Sequence, residues 1–355
     1  MTFLNPDQLD ELMDGGYLVV PDVPGLPNAI NRVADEYEVV LHELLRYLRM
    51  RGELSTDIPR ELGFAARMTA AVRETGTDYS HHFNIALAPD DVTETSPYRA
   101  SPAIFHLLRE PRLLDVVESV IGPEILATPI LYVRLKPPQR LLSRNFAPRP
   151  STESTAPHQD NSGLLPEADS TDMLTVWIPM ADVTEANGCL HVWPGSHRRG
   201  VLPHRVEPGR TVITRDALAE LGPPVTAPVR RGSVLLMHRR LVHASLPNCS
   251  DTTRWSFDLR YQPADQPPVR AFLPGFVARS RAHPASELRD PEEWDRLWSQ
   301  ARRRLARAGT PRFHRWVSTE SSPTEREHSS PAADSDDSMK PPLPDPPQGR
   351  ERVDD

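Results

Sequence analysis

Residues 233–261 read SVLLMHRRLVHASLPNCSDTTRWSFDLRY, and this stretch decides the fold. It contains short runs rich in β-branched and aromatic residues, and turns containing Pro and Asn separate them, which is typical of successive strands. The same pattern extends upstream, and the predicted strands are Ile130–Leu135, Met173–Ile178, Leu190–Trp193, Ser233–Met237, Leu241–Ser245 and Arg254–Tyr261. Asn187-Gly188 predicts a hairpin between the second and third of these strands. Residues from about 126 to 262 are therefore expected to form an all-β sandwich or barrel.

Helices are expected on both sides of this β region. Apolar residues recur at helical spacing there, and the predicted helices are Asp7–Met13, Ile30–Met50, Leu113–Ile121 and the stretch from Asp290 to Gly309. The pair Asp290-Pro291 is typical of a helix start, and Gly309 of a helix end. Tyr17–Val20 is a short β-like run, whereas Leu141–Thr155 and Pro203–Pro228 are predicted to be loops or lids.

The composition indicates one folded domain followed by a tail. The chain has 355 residues and a formal net charge of −8. Residues 318–355 hold ten acidic and four basic side chains and few apolar ones, too few to offset the entropy of ordering them. We therefore predict a single domain over residues 1–317, with a β core at about 126–262 and helical additions at 5–125 and 290–309, and a disordered tail at 318–355.

Charge and hydropathy argue against several kinds of partner. The body is nearly neutral because the tail carries −6 of the net charge, so it lacks the basic excess of proteins that bind nucleic acid or anionic membranes. No apolar run reaches the roughly 20 residues of a membrane span, and no signal-peptide core follows the first residues. Cys189 and Cys249 cannot form a disulfide framework, which fits a reducing compartment. We expect a cytoplasmic protein that acts on a small molecule, with no nucleic-acid or membrane partner.

The tripeptide His158-Gln159-Asp160 indicates a metal site. Side chains two apart on an extended segment share a face, so the imidazole and the carboxylate can reach one metal ion. A second imidazole would complete a facial triad suited to non-haem Fe(II) enzymes, and the candidates are His191, His197, His204, His238 and His243. His243 is best placed, because the spacing predicts that it lies opposite Arg254 on paired antiparallel strands. Ser256 shares that face, and a guanidinium beside a hydroxyl suits a carboxylate ligand.

Several motifs follow one another in a fixed order: His158-Gln159-Asp160, Leu174–Pro179, Asn187–Leu190, Pro194–His197, His243–Asn248 and Arg254. Their order and intervals resemble the phytanoyl-CoA dioxygenase family of Fe(II)- and 2-oxoglutarate-dependent oxygenases. The resemblance extends over roughly residues 5–265, with its specific motifs within 131–261. It implies a double-stranded β-helix, a jelly-roll barrel flanked by helices, with iron at its mouth.

The resemblance also implies roles for individual residues. The implied Fe(II) ligands are His158, Asp160 and His243. Arg254 looks like the partner of the distal carboxylate of the co-substrate 2-oxoglutarate. The residues expected near this co-substrate are Lys136, Trp177 and Ser256. His197, in the Pro-Gly-Ser-His turn, corresponds to a structural feature of the family rather than to a ligand.

The implied reaction uses O2 and hydroxylates a substrate C–H bond, with succinate and CO2 as co-products. Halogenating relatives have a small residue where this chain has Asp160, so the carboxylate favours hydroxylation over halogenation. Two alternatives stay open: a noncatalytic metal- or ligand-binding barrel, and a zinc hydrolase, which would leave Arg254 without a role. The sequence does not single out a substrate, although Arg134, Arg144 and Arg260 would favour an anion.

Overall fold

The computed structural model describes residues 3–88, 92–142, 154–207 and 210–316. The predicted tail at 318–355 lies outside these ranges, as do Arg144 and most of the predicted loop Leu141–Thr155. Among the described residues, no helix combines the length and the hydrophobicity that crossing a membrane requires.

The helices lie mainly at the two ends of the described chain. They are α1 Pro6–Gly15, α2 Leu26–Met50, α3 Gly63–Thr75, α4 Pro102–Leu108, α5 Pro111–Ile121, α6 Arg215–Ala219 and α7 Pro291–Ala308. Four of these, α1, α2, α5 and α7, confirm the predicted helices. As predicted, Asp290 caps α7 by accepting a hydrogen bond from the amide of Glu292 at 2.9 Å, and Gly309 ends it with a φ of 75°. The sequence analysis missed α4 because it is buried on nearly every side and so lacks a one-sided apolar stripe.

The strands form antiparallel sheets. They are β1 Tyr17–Val20, β2 Glu124–Ala127, β3 Tyr132–Lys136, β4 Leu174–Pro179, β5 Leu190–Val192, β6 His204–Glu207, β7 Arg210–Ile213, β8 Val225–Ala227, β9 Val234–His238, β10 His243–Ser245, β11 Arg254–Pro263 and β12 Phe276–Ser280. The larger sheet has the order β1-β9-β4-β11-β2-β12, with β3 also paired to β11, and the smaller sheet has the order β10-β5-β8. All six predicted strands are present, and β12 extends the sheet beyond the predicted limit of about 262.

The two sheets pack against each other through apolar side chains. Trp177 and Leu235 of the larger sheet share a buried cluster with Leu190 and Val192 of the smaller one. Within the described part of the chain, strands pair inside each sheet and the two sheets do not close into a continuous hydrogen-bonded barrel. The mainly antiparallel β core with flanking helices is as predicted.

Two predicted strand pairings are wrong. The strands on either side of Asn187-Gly188 do not form a hairpin, because β4 lies in the larger sheet and β5 in the smaller one. Gly188 instead marks a close crossing: its φ is 88°, and a Cβ there would lie 2.7 Å from the carbonyl oxygen of Leu246. His243 and Arg254 are not opposite each other either, since β10 pairs with β5 and β11 pairs with β3.

The predicted loop Pro203–Pro228 contains regular structure. In it β6 and β7 form a hairpin, α6 follows, and β8 joins the smaller sheet. Short elements of this kind depend on contacts outside themselves, and here the amide of Ile213 donates to the carbonyl of Pro157 at 3.2 Å. The local sequence, rich in Pro and charge, does not reveal those contacts.

Strand β11 separates the core from the site. Its odd-numbered residues, including Phe257 and Leu259, join the main apolar core beneath α2, where the Tyr37 ring lies 5.7 Å from that of Phe257. Its even-numbered residues therefore point to the opposite side of the sheet, toward the smaller sheet. Arg254, Asp258 and Arg260 line a cleft there.

Candidate metal and co-substrate site

His158, Asp160 and His243 converge at this cleft. One ligand atom from each residue lies within 4.8 Å of the others, and the Nε2 atom of each histidine is 3.9 Å from Oδ1 of Asp160. The convergence has a backbone cause: the amide of each histidine donates to the carbonyl of the other, at 3.1 and 3.0 Å. Paired in this way, the two imidazoles share a face although 85 positions separate them along the chain.

Both imidazoles are oriented for metal binding. Nδ1 of His158 donates to the carbonyl of Ala156 at 2.9 Å, and Nδ1 of His243 donates to the carbonyl of Leu241 at 3.1 Å. Because a carbonyl only accepts, Nδ1 carries the proton and the lone pair of each Nε2 faces Asp160. Burial, and then the neighbouring His243, lowers the pKa of His158 to about 3, which keeps its ring neutral. Two imidazoles and one carboxylate fit a divalent iron ion.

Arg260 and Thr175 hold the carboxylate of Asp160. The Nη2 atom of Arg260 donates to Oδ1 at 2.7 Å and its Nε to Oδ2 at 3.2 Å, and the hydroxyl of Thr175 also donates to Oδ2. Burial by itself would raise the pKa of Asp160, but the charge of Arg260 and the imidazoles hold that pKa well below its usual range. The sequence analysis considered Arg260 only as a substrate contact and missed Thr175. Strand parity places Arg260 on the same face as Arg254, but it does not show that Arg260 contacts Asp160.

Arg254 is a buried cation without an acidic partner among the described residues. Only 5% of it is exposed, and it donates to the hydroxyl of Ser256 and, at 3.3 Å, to the carbonyl of Gly188. Its guanidinium carbon lies 5.6 Å from the centre of the Trp177 ring. Burial lowers the pKa of Arg254 to about 10, so the group still carries its charge at neutral pH. A charged guanidinium whose hydrogen-bond acceptors are both neutral is suited to receiving a carboxylate.

Lys136 lies directly opposite Arg254, on β3. It is 2% exposed, and its Nζ donates to the hydroxyl of Ser245 at 2.5 Å and to the carbonyl of Leu246 at 2.8 Å. Burial, and then the charge of Arg254, lowers the pKa of Lys136 to about 6. The structure thus brings Lys136, Trp177, Arg254 and the three candidate ligands to one cleft of about 430 Å³, measured with the space open to solvent.

The other candidate histidines lie apart from this group. The ring centre of His191 lies 5.1 Å from that of Trp193, and Nδ1 of His204 donates to the carbonyl of Leu202 at 2.7 Å. His197 contacts His238, with 5.0 Å between the ring centres, and its Nε2 is 3.0 Å from the carbonyl of Met13. His197 therefore attaches the end of α1 to the β core, in keeping with the structural role that the resemblance implies.

An antiparallel β core brings two imidazoles, one carboxylate and a buried arginine, which has no acidic hydrogen-bond partner among the described residues, to a single cleft, and this arrangement defines a non-haem iron enzyme of the 2-oxoglutarate-dependent class. Comparison with known proteins agrees. The chain belongs to the phytanoyl-CoA dioxygenase family, since the model of that family matches residues 14–256. It is accordingly a dioxygenase that uses Fe(II), 2-oxoglutarate and O2.

Curated relatives include two mammalian proteins named phytanoyl-CoA dioxygenase domain-containing protein 1. The Bos taurus protein is 24% identical over 72% of this chain and 89% of its own length. The Mus musculus protein is 36% identical, over 31% of this chain and only 39% of its own length. The 1-deoxypentalenic acid 11-beta-hydroxylase of Streptomyces arenae is 31% identical over 44% of this chain and 56% of its own length.

Solved structures with a similar chain include the non-heme monooxygenase ThoJ as its Ni complex, which is 20% identical. The similarity covers 86% of this chain and all of that chain, with a TM-score of 0.48. Another is the epimerase SnoN in complex with Fe3+, alpha ketoglutarate and nogalamycin RO, which is 23% identical. It matches 73% of this chain and 83% of its own, with a TM-score of 0.46.

Proposed function

We propose that this chain hydroxylates an unactivated C–H bond of a small molecule, with succinate and CO2 as co-products. The observation that carries the proposal is the location of Arg254: this buried cation, which has no acidic hydrogen-bond partner among the described residues, lines the same cleft as His158 and His243, which form a trio with Asp160. A metal site alone would suit many reactions. A metal site with a separate carboxylate receptor suits a co-substrate that has a chelating end and a distant carboxylate, as 2-oxoglutarate has.

In this proposal the trio holds Fe(II) through Nε2 of His158, Nε2 of His243 and a carboxylate oxygen of Asp160. When bound, the iron with 2-oxoglutarate supplies the activation of O2. The contribution of the protein is orientation. Arg260 donates to both carboxylate oxygens of Asp160 and Thr175 donates to Oδ2, and in the orientation they hold, Oδ1 lies 3.9 Å from Nε2 of both imidazoles.

Arg254 would bind the distal carboxylate of 2-oxoglutarate through its fork of N–H donors. Ser256 accepts from one arm of the guanidinium and so holds its plane, and the Trp177 ring covers one side of it. Lys136 adds a second basic group at the same end of the cleft. Met237 and Leu190 give part of the cleft an apolar lining, which limits water around the reacting groups.

The sheet pairing and the family resemblance support a double-stranded β-helix as the frame of this site. Asp160 supports hydroxylation over halogenation, because its carboxylate leaves no room for a halide at that position. Product mass distinguishes the remaining outcomes: hydroxylation adds one oxygen atom, desaturation or ring formation removes two hydrogen atoms, and epimerisation leaves the mass unchanged.

The test begins with the protein under anaerobic conditions. Fe(II) and 2-oxoglutarate together should give a visible charge-transfer band, and O2 should then give succinate release that selected small molecules stimulate. His158→Ala should lose both signals. His191→Ala removes an imidazole near the cleft that is outside the trio, and it should keep both.

Two results would contradict the proposal. A correctly folded wild-type protein without the band would favour a noncatalytic ligand-binding barrel. Metal-dependent hydrolysis that proceeds without O2 would favour a zinc hydrolase with the same three ligands.

A further inference from the structure

The segment Thr310–Trp316 follows α7 and returns to the cleft side of the β core. Two aromatic contacts attach it there. The ring of Phe313 lies 6.0 Å from that of Phe272, and the ring of Trp316 stacks on His204 at 5.6 Å. Nothing in the sequence analysis singled out this segment, which lies between the predicted helix and the predicted tail.

Arg315 is the residue of this segment with the most contacts. Its Nη1 and Nη2 donate to the two oxygens of Asp169, at 2.9 and 2.5 Å. Nη2 also donates to the carbonyl of Asn161 at 3.1 Å, and Nε donates to the carbonyl of Leu164 at 2.9 Å. The side chain is only 10% exposed, so one buried guanidinium connects four points of the neighbouring chain.

These contacts converge on the turn that carries Asp160. Residues Asp160–Gly163 form a single 3₁₀ turn, which the amide of Leu164 closes by donating to the carbonyl of Asn161 at 3.2 Å. Arg315 supplies a donor to Asn161, the residue directly after Asp160. The side-chain amide of Asn161 also donates to Asp169, the same carboxylate that Arg315 holds, so Arg315 ties together both ends of the stretch from 160 to 169.

We propose that Arg315 is a positioning residue for the candidate metal ligand Asp160, and that Thr310–Trp316 is therefore a working part of the site. This inference rests on the proposed function, because it takes Asp160 to be a metal ligand. Arg260 and Thr175 orient the carboxylate from the strand side, whereas Arg315 holds the backbone from which that carboxylate extends.

Binding of Mn²⁺ to the full chain, followed by electron paramagnetic resonance without 2-oxoglutarate or O2, tests the inference. Arg315→Ala should raise the dissociation constant for Mn²⁺ about tenfold or more, the range found when outer partners of metal ligands are removed. Asp169→Asn should weaken Mn²⁺ binding by a similar factor. The double variant should bind Mn²⁺ no more weakly than the weaker-binding single variant, because both changes break the same ion pair.

Arg312→Ala is the matched control. It removes the same group from the same segment, but among the described residues the side chain of Arg312 donates to the carbonyls of His314 and Arg315, within the segment itself. Its Mn²⁺ affinity should stay within twofold of wild type. A thermal melt of every variant shows whether the protein is folded. Should Arg315→Ala not fold, Arg315→Lys keeps the charge without the fork and should weaken Mn²⁺ binding by a smaller factor.

The outcomes separate the two ideas. Mn²⁺ binding by wild type that His158→Ala abolishes and Arg315→Ala weakens supports both. Wild-type binding that neither Arg315→Ala nor Arg315→Lys changes would overturn the positioning role and leave the proposed metal site standing. No Mn²⁺ binding by folded wild-type protein would overturn the metal site, and the positioning role with it.

Discussion

Replacing Arg254 with alanine should raise the KM for 2-oxoglutarate sharply while iron stays bound. The guanidinium is buried, and its hydrogen-bond partners Ser256 and Gly188 are neutral. Among the described residues it has no acidic hydrogen-bond partner, and the carboxylate of 2-oxoglutarate would supply one. The charge attraction and the paired hydrogen bonds would be lost together. The three candidate iron ligands do not hydrogen-bond to Arg254 and should keep their geometry.

The magnitude follows from burial. Removing one partner of a buried, hydrogen-bonded charge pair costs about 2–5 kcal/mol. The lower half of that range applies here, because Lys136 remains opposite the vacated position. The charge of Arg254 helps to depress the pKa of Lys136, second to burial, so Lys136 accepts a proton more readily once Arg254 is gone. A cost of about 2–3 kcal/mol corresponds to a rise in KM of roughly 30- to 150-fold.

The assay measures 2-oxoglutarate consumption at fixed, saturating Fe(II), and Fe(II) affinity is measured separately. Arg254→Lys should give an intermediate KM, because it keeps one donor and loses the fork. Arg279→Ala is the control: that arginine is 11% exposed and pairs with Asp115 and Glu118, so its loss should affect stability and leave the KM unchanged. A KM for Arg254→Ala within twofold of wild type, in iron-loaded protein, would refute the reasoning.

Three further predictions concern neighbouring parts of the molecule. Arg260→Gln should weaken Fe(II) binding about 10- to 100-fold, measured by titration of the apo-protein, because Asp160 loses the partner that orients it; unchanged affinity would contradict this. Urea melts should show that the wild-type apo-protein gains stability as pH rises from about 6 toward 10, since the unfolded chain protonates Lys136 in that window and the folded chain does not. The free energy of unfolding should rise by up to about 1.4 kcal/mol per pH unit in this window, and Lys136→Met should remove this rise. The same rise in both proteins would argue against Lys136 as its cause. Deleting residues 318–355 should leave succinate release intact, and a large loss would show that the tail takes part in the site.

The candidate ligands could be found from the sequence because two of them are close together in it and the third lies in a motif that follows in a fixed order. His158 and Asp160 are two apart on an extended segment, and His243 follows in a run that is clearly β. The reason given for His243 was nevertheless wrong. Its strand pairs with β5 and bridges to His158, and not with the strand of Arg254. His243 lies beside the other two candidates although the predicted pairing is wrong, because a turn at 246–250 does not reveal which sheet the next strand joins.

The residues around the ligands could not be found in this way. Arg260 donates to an aspartate 100 positions earlier, and Arg315 to a carbonyl 154 positions earlier. No periodicity connects such pairs, since their distance depends on the path of the whole chain. With 39 arginines in the sequence, residue type alone does not single out these two.

The sequence by itself determined four of the helices, six strands of the β core, and three side chains that are candidates for a metal site. These properties depend on the pattern of side chains over a few residues, and they are the same whatever the order of the strands in the sheets. Tertiary structure alone decided that Arg254 and Lys136 are buried side by side, that Arg260 holds Asp160, and that Thr310–Trp316 packs against the turn that carries Asp160. Burial and charge pairing depend on contacts between segments that are distant in the sequence, and these contacts form only when the sheets pack.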